Sequence, residues 1–344
     1  MLSLKNLLLK NLVPAIKRFI PEHPQTENRR FLLISTTALG DTLWATPAIE
    51  SLRNSFPKAY IAILTSPIGH QVLKHNPHLS KVYTLDRFSF SLWKKLYQDQ
   101  FDTILLFHAS QRLILPLLSL LGAQNIIGTS GINKGLDRLL TDPMPPIYEH
   151  EISRRLRIVE KAGGKTATER LSFFLQPQEK LKKQKGRWIA IHPGSKDPFK
   201  RWPTQNFIQL GKDLKKHLNC EILITGTAEE ELLMKSIANQ IPGAHVANPH
   251  LSLRSFAALL ETMDLLICND TGPFHLACAL NKPVIGIYSS TDPNLCGGHH
   301  CPSAITIGKR ATCDPCLKRK CRLPFCLLQI GPCEVLNAAL KVLS

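Results

Sequence analysis

One short segment of the chain joins a buried strand, a tight turn and an apolar helix, and this order strongly restricts the fold. The apolar run Leu265–Cys268 leads to Asn269 and Asp270, and the chain then turns at Thr271-Gly272-Pro273 into small and apolar residues. A strand that enters a helix through a tight turn is typical of parallel α/β sheets. The first N–H groups of such a helix lack partners within it and lie at the positive end of its dipole. We therefore expect this turn to bind an anion, most commonly a phosphate.

A second turn of the same kind lies earlier in this half of the chain. The apolar run Trp188–His192 predicts a strand, and Pro193-Gly194-Ser195 follows it directly. Lys200-Arg201-Trp202-Pro203 comes a few residues later and adds positive charge. Two anion-binding turns in one half of the chain predict a site for a nucleotide or a nucleotide-sugar.

Apolar runs alternate with helical patterns along most of the chain, which predicts right-handed crossovers and mainly parallel sheets. The 344 residues exceed one typical domain, so we expect an α/β protein with two doubly wound, Rossmann-like domains. Because ligands of open α/β sheets bind at the carboxyl ends of the strands, we expect these domains to face each other across a cleft. The strands are predicted at residues 31–35, 60–65, 81–85, 101–107 and 125–128, and again at 188–192, 221–225, 245–247, 265–270 and 284–288.

The domain boundaries follow from changes in this pattern. Residues 166–187 lack strong periodicity and are rich in lysine, which is typical of a linker. We therefore expect a basic amphipathic segment at residues 1–25, a first domain at 26–165, and a second domain with a Cys-rich tail at 188–344, which contains both anion-binding turns and is expected to bind the nucleotide-sugar.

The charge balance limits the classes of partner. The chain has 43 Lys and Arg residues against 26 Asp and Glu residues, a net charge of +17. Such an excess favours nucleic acid, anionic lipid or phosphorylated ligands. Because no nucleic-acid-binding motif is present and the basic residues are scattered, we expect no nucleic acid partner, and instead an anionic membrane surface or phosphorylated ligands.

The N-terminal segment is rich in leucine but is interrupted by charged residues, so it matches neither a membrane-spanning helix nor a signal peptide. Leu4, Leu8, Leu12 and Ile16 recur at helical spacing. This pattern favours a basic amphipathic helix on an anionic membrane. A helix that packs on the protein's own surface fits the pattern equally well.

The tail is rich in cysteine. Cys313 and Cys316 have the spacing of metal ligands, and Cys321 and Cys326 complete a set of four that suits a structural zinc. The later spacings are irregular and no second C-x-x-C pair follows. Reduced thiols are therefore the favoured alternative, and no residue is assigned to a metal.

Three motifs stand in a fixed order along the chain. They are Leu39-Gly40-Asp41-x4-Thr46-Pro47-x-Ile49, His192-Pro193-Gly194-Ser195 with Lys200-Arg201-Trp202-Pro203, and Asn269-Asp270-Thr271-Gly272-Pro273-x-His275-Leu276-x-x-Ala279-Leu280. Together they resemble glycosyltransferase family nine, the ADP-heptose:lipopolysaccharide heptosyltransferases, over nearly everything after residue 30. The tail with Cys313, Cys316 and Cys321 is similar to tails of the second-heptose type. The resemblance implies the GT-B fold, an ADP-heptose donor and a glycolipid acceptor of the lipid A–Kdo type.

The resemblance also implies roles for individual residues. Asp41 matches the general base that deprotonates the acceptor hydroxyl, although a carboxylate at a helix start also fits a structural role. Lys200 matches the lysine that contacts the diphosphate, where a fixed cation stabilises the negative charge of the leaving group. Thr37 and Gly40 are assigned to the acceptor-side loop. The residues predicted to bind the donor are Gly194, Ser195, Glu229, Asp270, Thr271, Gly272 and His275.

Each donor residue has an expected contact. Thr271 and the N–H of Gly272 are expected to hold phosphate, with the hydroxyl of Ser195 as a further donor, and Gly194 is expected to let the backbone approach closely. Asp270 is expected to accept hydrogen bonds from sugar hydroxyls. The remaining assignments are less specific, since Glu229 matches the ribose-binding acid beside Glu230 and Glu231, and His275 either faces the ligand or is satisfied within the protein.

The expected activity is the inverting transfer of a heptose from ADP-heptose to the inner core, at Kdo or heptose, of lipopolysaccharide. No Asp-x-Asp motif is present to hold a divalent cation, so we expect turnover without a metal or a cofactor. The expected location is cytoplasmic and peripheral, on the inner face of the inner membrane.

The alternative functions are a GT-B-like nucleotide-sugar epimerase, a transferase with another donor, and an inactive binding relative. A dinucleotide oxidoreductase is disfavoured because no Gly-x-Gly-x-x-Gly follows the first strand.

Overall fold

The computed structural model describes residues 4–24, 28–87, 89–109, 111–289, 291–298, 300–309, 321 and 325–344. The chain divides into two compact units, Met1–Arg170 and Leu171–Ser344. The division falls inside the segment 166–187, which the sequence indicated as a linker.

The first unit is built on a parallel sheet of six described strands. They are β1 Arg30–Ser35, β2 Tyr60–Thr65, β3 Lys81–Thr84, β4 Thr103–His108, β5 Asn125–Thr129 and β6 Asp142–Met144. Their order in the sheet is β3-β2-β1-β4-β5-β6, and the neighbours are parallel. In β1 every residue after Arg30 is buried, as expected where both faces of a parallel sheet are covered.

The helices of the first unit depart from the sequence prediction at several points. They are α1 Leu4–Lys17, α2 Leu39–Leu43, α3 Thr46–Ser55, α4 Pro67–Leu73, α5 Phe90–Gln98, α6 Ile114–Leu118 and α7 Glu151–Lys161. The sequence pattern after β1 predicts a single helix up to about Asn54, and this prediction is wrong, because the chain forms α2 and α3 there. Pro47 lies in the first turn of α3 and lacks the N–H that a continuous helix would use. The sequence prediction missed α4, α5 and α7.

The second unit repeats the same architecture. Its described strands are β7 Arg187–His192, β8 Cys220–Ile224, β9 His245–Val246, β10 Leu265–Asn269, β11 Val284–Tyr288 and β12 Ala304–Gly308. They form a parallel sheet in the order β12-β11-β10-β7-β8-β9. Its helices are α8 Thr204–His217, α9 Glu231–Ala238, α10 Leu253–Glu261, α11 Gly272–Ala279, α12 Pro293–Cys296, α13 Phe325–Leu328 and α14 Pro332–Leu343. The elements after β11 were not predicted from the sequence.

The strand order reverses at one place in each sheet. In the first unit β1 lies between β2 and β4, and in the second β7 lies between β8 and β10. Loops that leave neighbouring strands at such a switch point diverge, and the crevice between them is where open α/β sheets bind ligands. The expectation of two doubly wound α/β folds is confirmed.

The N-terminal segment packs on the first unit and also exposes an apolar face. The side chain of Val13 in α1 is buried in the core of this unit, and the N–H of His23 donates to the carbonyl of Gly122 at 2.8 Å. Leu12, Ile16 and Phe19 remain 57%, 41% and 88% exposed. None of the described helices is long and apolar enough to cross a membrane.

Candidate functional site

The two turns singled out in the sequence of the second unit meet at its switch point. β7 and β10 are adjacent and parallel, with His192 paired to Cys268. The loop after β7 and the loop after β10 therefore leave the sheet side by side. A contact between side chains of these loops joins them directly.

That contact is an ion pair between Lys200 and Asp270. The Nζ atom of Lys200 lies 2.6 Å from Oδ2 of Asp270, and their side chains are only 20% and 7% exposed. A carboxylate held this far from water needs such a partner, because an unpaired buried charge is strongly unfavourable. The sequence assigned Asp270 to sugar hydroxyls. In the structure its described partner is Lys200, and the pair fixes the position of the cation.

Beside this pair, the N-terminus of α11 is open to a ligand. Thr271 is its N-cap residue, and no side chain caps the helix there. The Thr271 hydroxyl instead donates to the carbonyl of Asn269 at 3.2 Å. The N–H of Gly272, at the start of α11, therefore has no side-chain cap, whereas Pro273 has no N–H and the N–H of Phe274 donates to the carbonyl of Thr271 at 3.1 Å. An uncapped helix start of this kind suits an anion. His275, one turn later, is buried.

Asn269 links the two loops, a role that the sequence analysis missed. Its Nδ2 donates to the carbonyl of Pro193 at 2.8 Å and to that of Gly194 at 3.2 Å. Its Oδ1 accepts a hydrogen bond from the N–H of Trp202 at 3.0 Å. Because Asn269 is fully buried, these bonds have no competition from water. They hold the loop that carries Lys200 against the end of β10.

We expect Asn269→Ala to destabilise the second unit by about 3 kcal/mol, because it leaves buried backbone groups without partners at about 1–3 kcal/mol each. Urea unfolding followed by fluorescence measures this free energy. The exposed Asn239 on the same unit provides a matched control, and Asn239→Ala should change stability by less than about 0.5 kcal/mol. Equal stability of the two variants would contradict the linking role of Asn269.

The sequence predicted that Gly194 lets the backbone approach the donor closely. In the structure the close neighbour of Gly194 is the side chain of Glu230. A Cβ atom at this position would lie 2.1 Å from the carboxylate carbon of Glu230. Glycine thus lets Glu230 pack against the loop. Glu230 also accepts a hydrogen bond from the N–H of Thr227 at 3.0 Å and is buried, whereas Glu229 is exposed. Ser195 is buried as well.

In the first unit, Asp41 lies in α2, just after the switch-point strand β1. Its Oδ2 accepts a hydrogen bond from the N–H of Ala38 at 3.3 Å, which caps the start of the helix. Its side chain is 23% exposed, so solvent reaches the carboxylate. Thr37 and Gly40 precede Asp41 in the chain and are partly exposed. The structural role that the sequence allowed for Asp41 is therefore real, and the exposed fraction leaves room for a chemical role.

Charged residues of α7 surround Asp41, and the sequence analysis did not find them. The guanidinium of Arg155 lies 3.5 Å from Oδ1 of Asp41. Glu151 pairs with both Arg154 and Arg155, and Arg154 also donates to the carbonyl of Phe107 at 2.9 Å. The available signal was the pattern Glu-x-x-Arg-Arg, whose spacing places these charges on one side of a helix.

The pKa values of two neighbours reflect this arrangement. Burial by itself would raise the pKa of Glu151, but the positive charges of Arg155 and Arg154 outweigh it and lower that pKa to about 2. At His108, on the end of β4, burial lowers the pKa, and the nearby negative charge of Asp41 only partly opposes this shift. Near neutral pH, Glu151 is therefore ionised and His108 is neutral.

The Cys-rich tail gives no metal site in the part of the chain that can be described. Cys313 and Cys316 lie outside the described residues, while Cys321 and Cys326 are partly exposed. Among the described residues, no three His, Cys, Asp or Glu side chains are grouped so that they would hold a metal ion. The zinc alternative stays a prediction.

Solved structures identify the class of the fold. A glycosyl transferase family 9 protein from Veillonella parvula superposes with a TM-score of 0.79 at 19% identity, over 94% of this chain and 99% of that one. Escherichia coli ADP-heptose lps heptosyltransferase II gives a TM-score of 0.74 at 17% identity, over 91% and 98%. The two parallel sheets with their helices are therefore the α/β fold of GT-B-like glycosyltransferases, as the sequence predicted.

The family model then fixes the family. The model for glycosyltransferase family 9 (heptosyltransferase) matches residues 89–326, and the chain belongs to this family. Lipooligosaccharide heptosyltransferase 2 of Campylobacter jejuni is 24% identical over 326 residues, which cover 90% of this chain and 96% of that enzyme. The resemblance seen in the three sequence motifs is thereby confirmed.

One further structural neighbour is described as containing iron. The iron-containing heptosyltransferase TibC, described as a dodecamer in complex with ADP-D-β-D-heptose, has a TM-score of 0.63 at 15% identity, over 93% of this chain and 77% of that one. At 15% sequence identity, this similarity concerns the fold alone.

Proposed function

We propose that this chain transfers a heptose from ADP-heptose to a Kdo or heptose residue in the inner core of lipopolysaccharide, with inversion at the anomeric carbon. The observation that carries the proposal is the ion pair of Lys200 with Asp270, 2.6 Å long, beside the uncapped N-terminus of α11. A fixed cation beside an uncapped helix N-terminus matches the negative charge of a diphosphate. Membership of family 9 and the similarity to heptosyltransferases that act on lipooligosaccharide or lipopolysaccharide support the sugar and the glycolipid.

The donor is proposed to bind along the loops of the second unit. The diphosphate would accept hydrogen bonds from the N–H groups of Thr271, the N-cap residue, and of Gly272, the first residue of α11, and Lys200 would contact it as a cation. Glu229 is exposed on the loop after β8 and would accept hydrogen bonds from the ribose hydroxyls. Asp270 would keep one oxygen on Lys200 and offer the other to a sugar hydroxyl.

His275, Gly194 and Ser195 have supporting roles in this proposal. They are buried or closely packed beside the donor loops, so they shape the pocket from below. Ser195 and His275 stay proposed donor-binding residues, Ser195 through its hydroxyl.

The proposed chemistry is a direct displacement. The acceptor hydroxyl oxygen forms a bond to the anomeric carbon while its proton passes to the carboxylate of Asp41. The bond from that carbon to the diphosphate oxygen breaks, and its electron pair leaves with ADP. Lys200 stabilises the charge that develops on the leaving group. Because Lys200 supplies positive charge where other transferases place a divalent cation, we propose that turnover needs no metal.

The experiment for this proposal combines the purified chain with ADP-heptose and a deacylated lipid A–Kdo acceptor in the presence of EDTA. We expect ADP release that requires the acceptor and persists with the chelator. ADP release that EDTA abolishes and Mg²⁺ or Fe²⁺ restores would overturn the metal-independent chemistry. An altered sugar without any acceptor would instead identify an epimerase.

We also propose that the protein binds the membrane surface through α1 and the turn that follows it, which carries Arg18 and Phe19. The exposed side chains Leu12, Ile16 and Phe19 recur at helical spacing, and Lys17 and Arg18 lie among them. An apolar face with adjacent cations fits the surface of an anionic leaflet.

The double replacement Leu12→Ser/Phe19→Ser should weaken binding to phosphatidylglycerol vesicles at least about tenfold. In the unaltered protein both apolar side chains would be transferred from water into the membrane surface, and serine lacks this favourable transfer. Co-sedimentation measures the bound fraction. Leu232, an 84% exposed residue of the second unit, provides the control, and Leu232→Ser should bind like the unaltered protein. Equal binding by all of the variants would exclude α1 as the contact.

A further inference from the structure

Arg155 is the most completely buried charged side chain near Asp41. Its side chain is 0% exposed, although it ends in a guanidinium. Its Nη1 donates to the backbone carbonyl of Glu151 at 2.8 Å and also to the Glu151 carboxylate. On one side its guanidinium carbon lies 5.6 Å from the centre of the Trp44 ring. Burying a guanidinium is costly unless it is paired, so this geometry has to be well specified.

The remaining amino group of Arg155 faces Asp41. Its Nη2 lies 3.5 Å from Oδ1 of Asp41, while Oδ2 accepts the N–H of Ala38 at 3.3 Å. Both carboxylate oxygens therefore have a defined neighbour, one from the loop of Asp41 itself and one from α7. Two contacts on opposite oxygens restrict rotation about the final side-chain bond of Asp41.

A surface ion pair would not restrict the carboxylate in this way. Long exposed side chains exchange among several rotamers, and such pairs contribute little. Arg155 cannot exchange rotamers in this way, because Glu151, one turn earlier in α7, and Trp44, at the C-terminal end of α2, enclose it. The guanidinium acts as a rigid donor that is already in place before any ligand binds.

We propose that Arg155 is a positioning residue for Asp41, which holds the carboxylate at the angle needed to accept the acceptor proton. The inference rests on the proposed function, in which Asp41 is the base. A general base works only within hydrogen-bond reach of its proton, and a misplacement of about 1 Å can cost about 100-fold in rate. Arg155 itself touches neither substrate.

The test compares three variants of α7 in the acceptor-dependent assay. Arg155→Met should lower kcat about 10- to 100-fold while the KM for ADP-heptose stays within about twofold. Arg155→Lys retains a cation and should recover part of the lost kcat. Arg157 lies on the same helix and pairs with Glu149, so Arg157→Met serves as a matched control with an unaltered kcat. If Arg155→Met fails to fold, Arg155→Lys still has to show a reduced kcat with an unaltered KM.

A double variant separates this inference from the proposed function. In an Asp41→Asn background, Arg155→Lys should lower kcat no further, because the group that it positions is already gone. Additive losses, or a normal kcat in Arg155→Lys, would overturn the positioning role while the transferase assignment stands. An unaltered protein with no acceptor-dependent activity would overturn the proposed function itself.

Discussion

Replacing Asp41 with asparagine is expected to lower kcat for heptose transfer at least about 100-fold, because an amide cannot accept the proton of the acceptor hydroxyl. Asparagine has almost the same shape and can still accept the hydrogen bond from Ala38 that caps α2. The affinity for ADP-heptose should stay within about twofold, since the proposed donor residues all belong to the second unit. Steady-state kinetics gives kcat, and calorimetric titration of the donor gives its Kd.

A matched control for this prediction is Asp86→Asn. Asp86 is an exposed carboxylate of the same unit that has no role in the proposed chemistry, so its variant should turn over normally. A value of kcat for Asp41→Asn close to that of Asp86→Asn would remove Asp41 from the chemistry. Asp41 would then keep only its role at the start of α2.

Replacing Lys200 with methionine is expected to lower kcat/KM for ADP-heptose about 100- to 1000-fold. The change removes the cation proposed to stabilise the diphosphate. It also leaves the 7% exposed carboxylate of Asp270 without its partner at 2.6 Å, and that negative charge would repel the donor. Both the KM for ADP-heptose and kcat should therefore change, in contrast to the Asp41 variant.

Two further variants separate the effects of charge and of stability. Lys196 is an exposed lysine of the same loop, and Lys196→Met should behave like the unaltered protein. The double variant Lys200→Met/Asp270→Asn no longer buries an unpaired charge, so it should recover thermal stability without recovering turnover. If Lys200→Met kept its normal kcat/KM, the assignment of the leaving-group cation would be wrong.

Ten of the twelve described strands could be predicted from the sequence with small errors, because buried parallel strands are short apolar runs that end at polar turns. The edge strands β6 and β12 were missed. The run Tyr60–Thr65 is correct to the residue. Helices were harder where the local signal was weak. α7 carries Arg154 and Arg155 in buried positions. Because these buried positions are charged and not apolar, the helix lacks the regular spacing of apolar residues by which an amphipathic helix is predicted.

The candidate site was predictable in part. The turns at Gly194 and Thr271 were visible as local motifs, since each depends on residues adjacent in sequence. The partners of these motifs were not visible. Asp270 with Lys200, and Asp41 with Arg155, join residues far apart in the chain, and only the strand order brings such residues together. A single sequence does not specify which of several lysines or arginines meets a given carboxylate.

The most direct test of inverting heptose transfer measures the mass of the acceptor after reaction and the anomeric configuration of the newly attached sugar. The unaltered protein, ADP-heptose and a deacylated lipid A–Kdo acceptor are incubated, and the product is purified for mass spectrometry and NMR. We predict an acceptor heavier by one heptose residue, with the anomeric configuration opposite to that of the donor. An acceptor of unaltered mass in the presence of released ADP, or a linkage with the donor's configuration retained, would contradict the account.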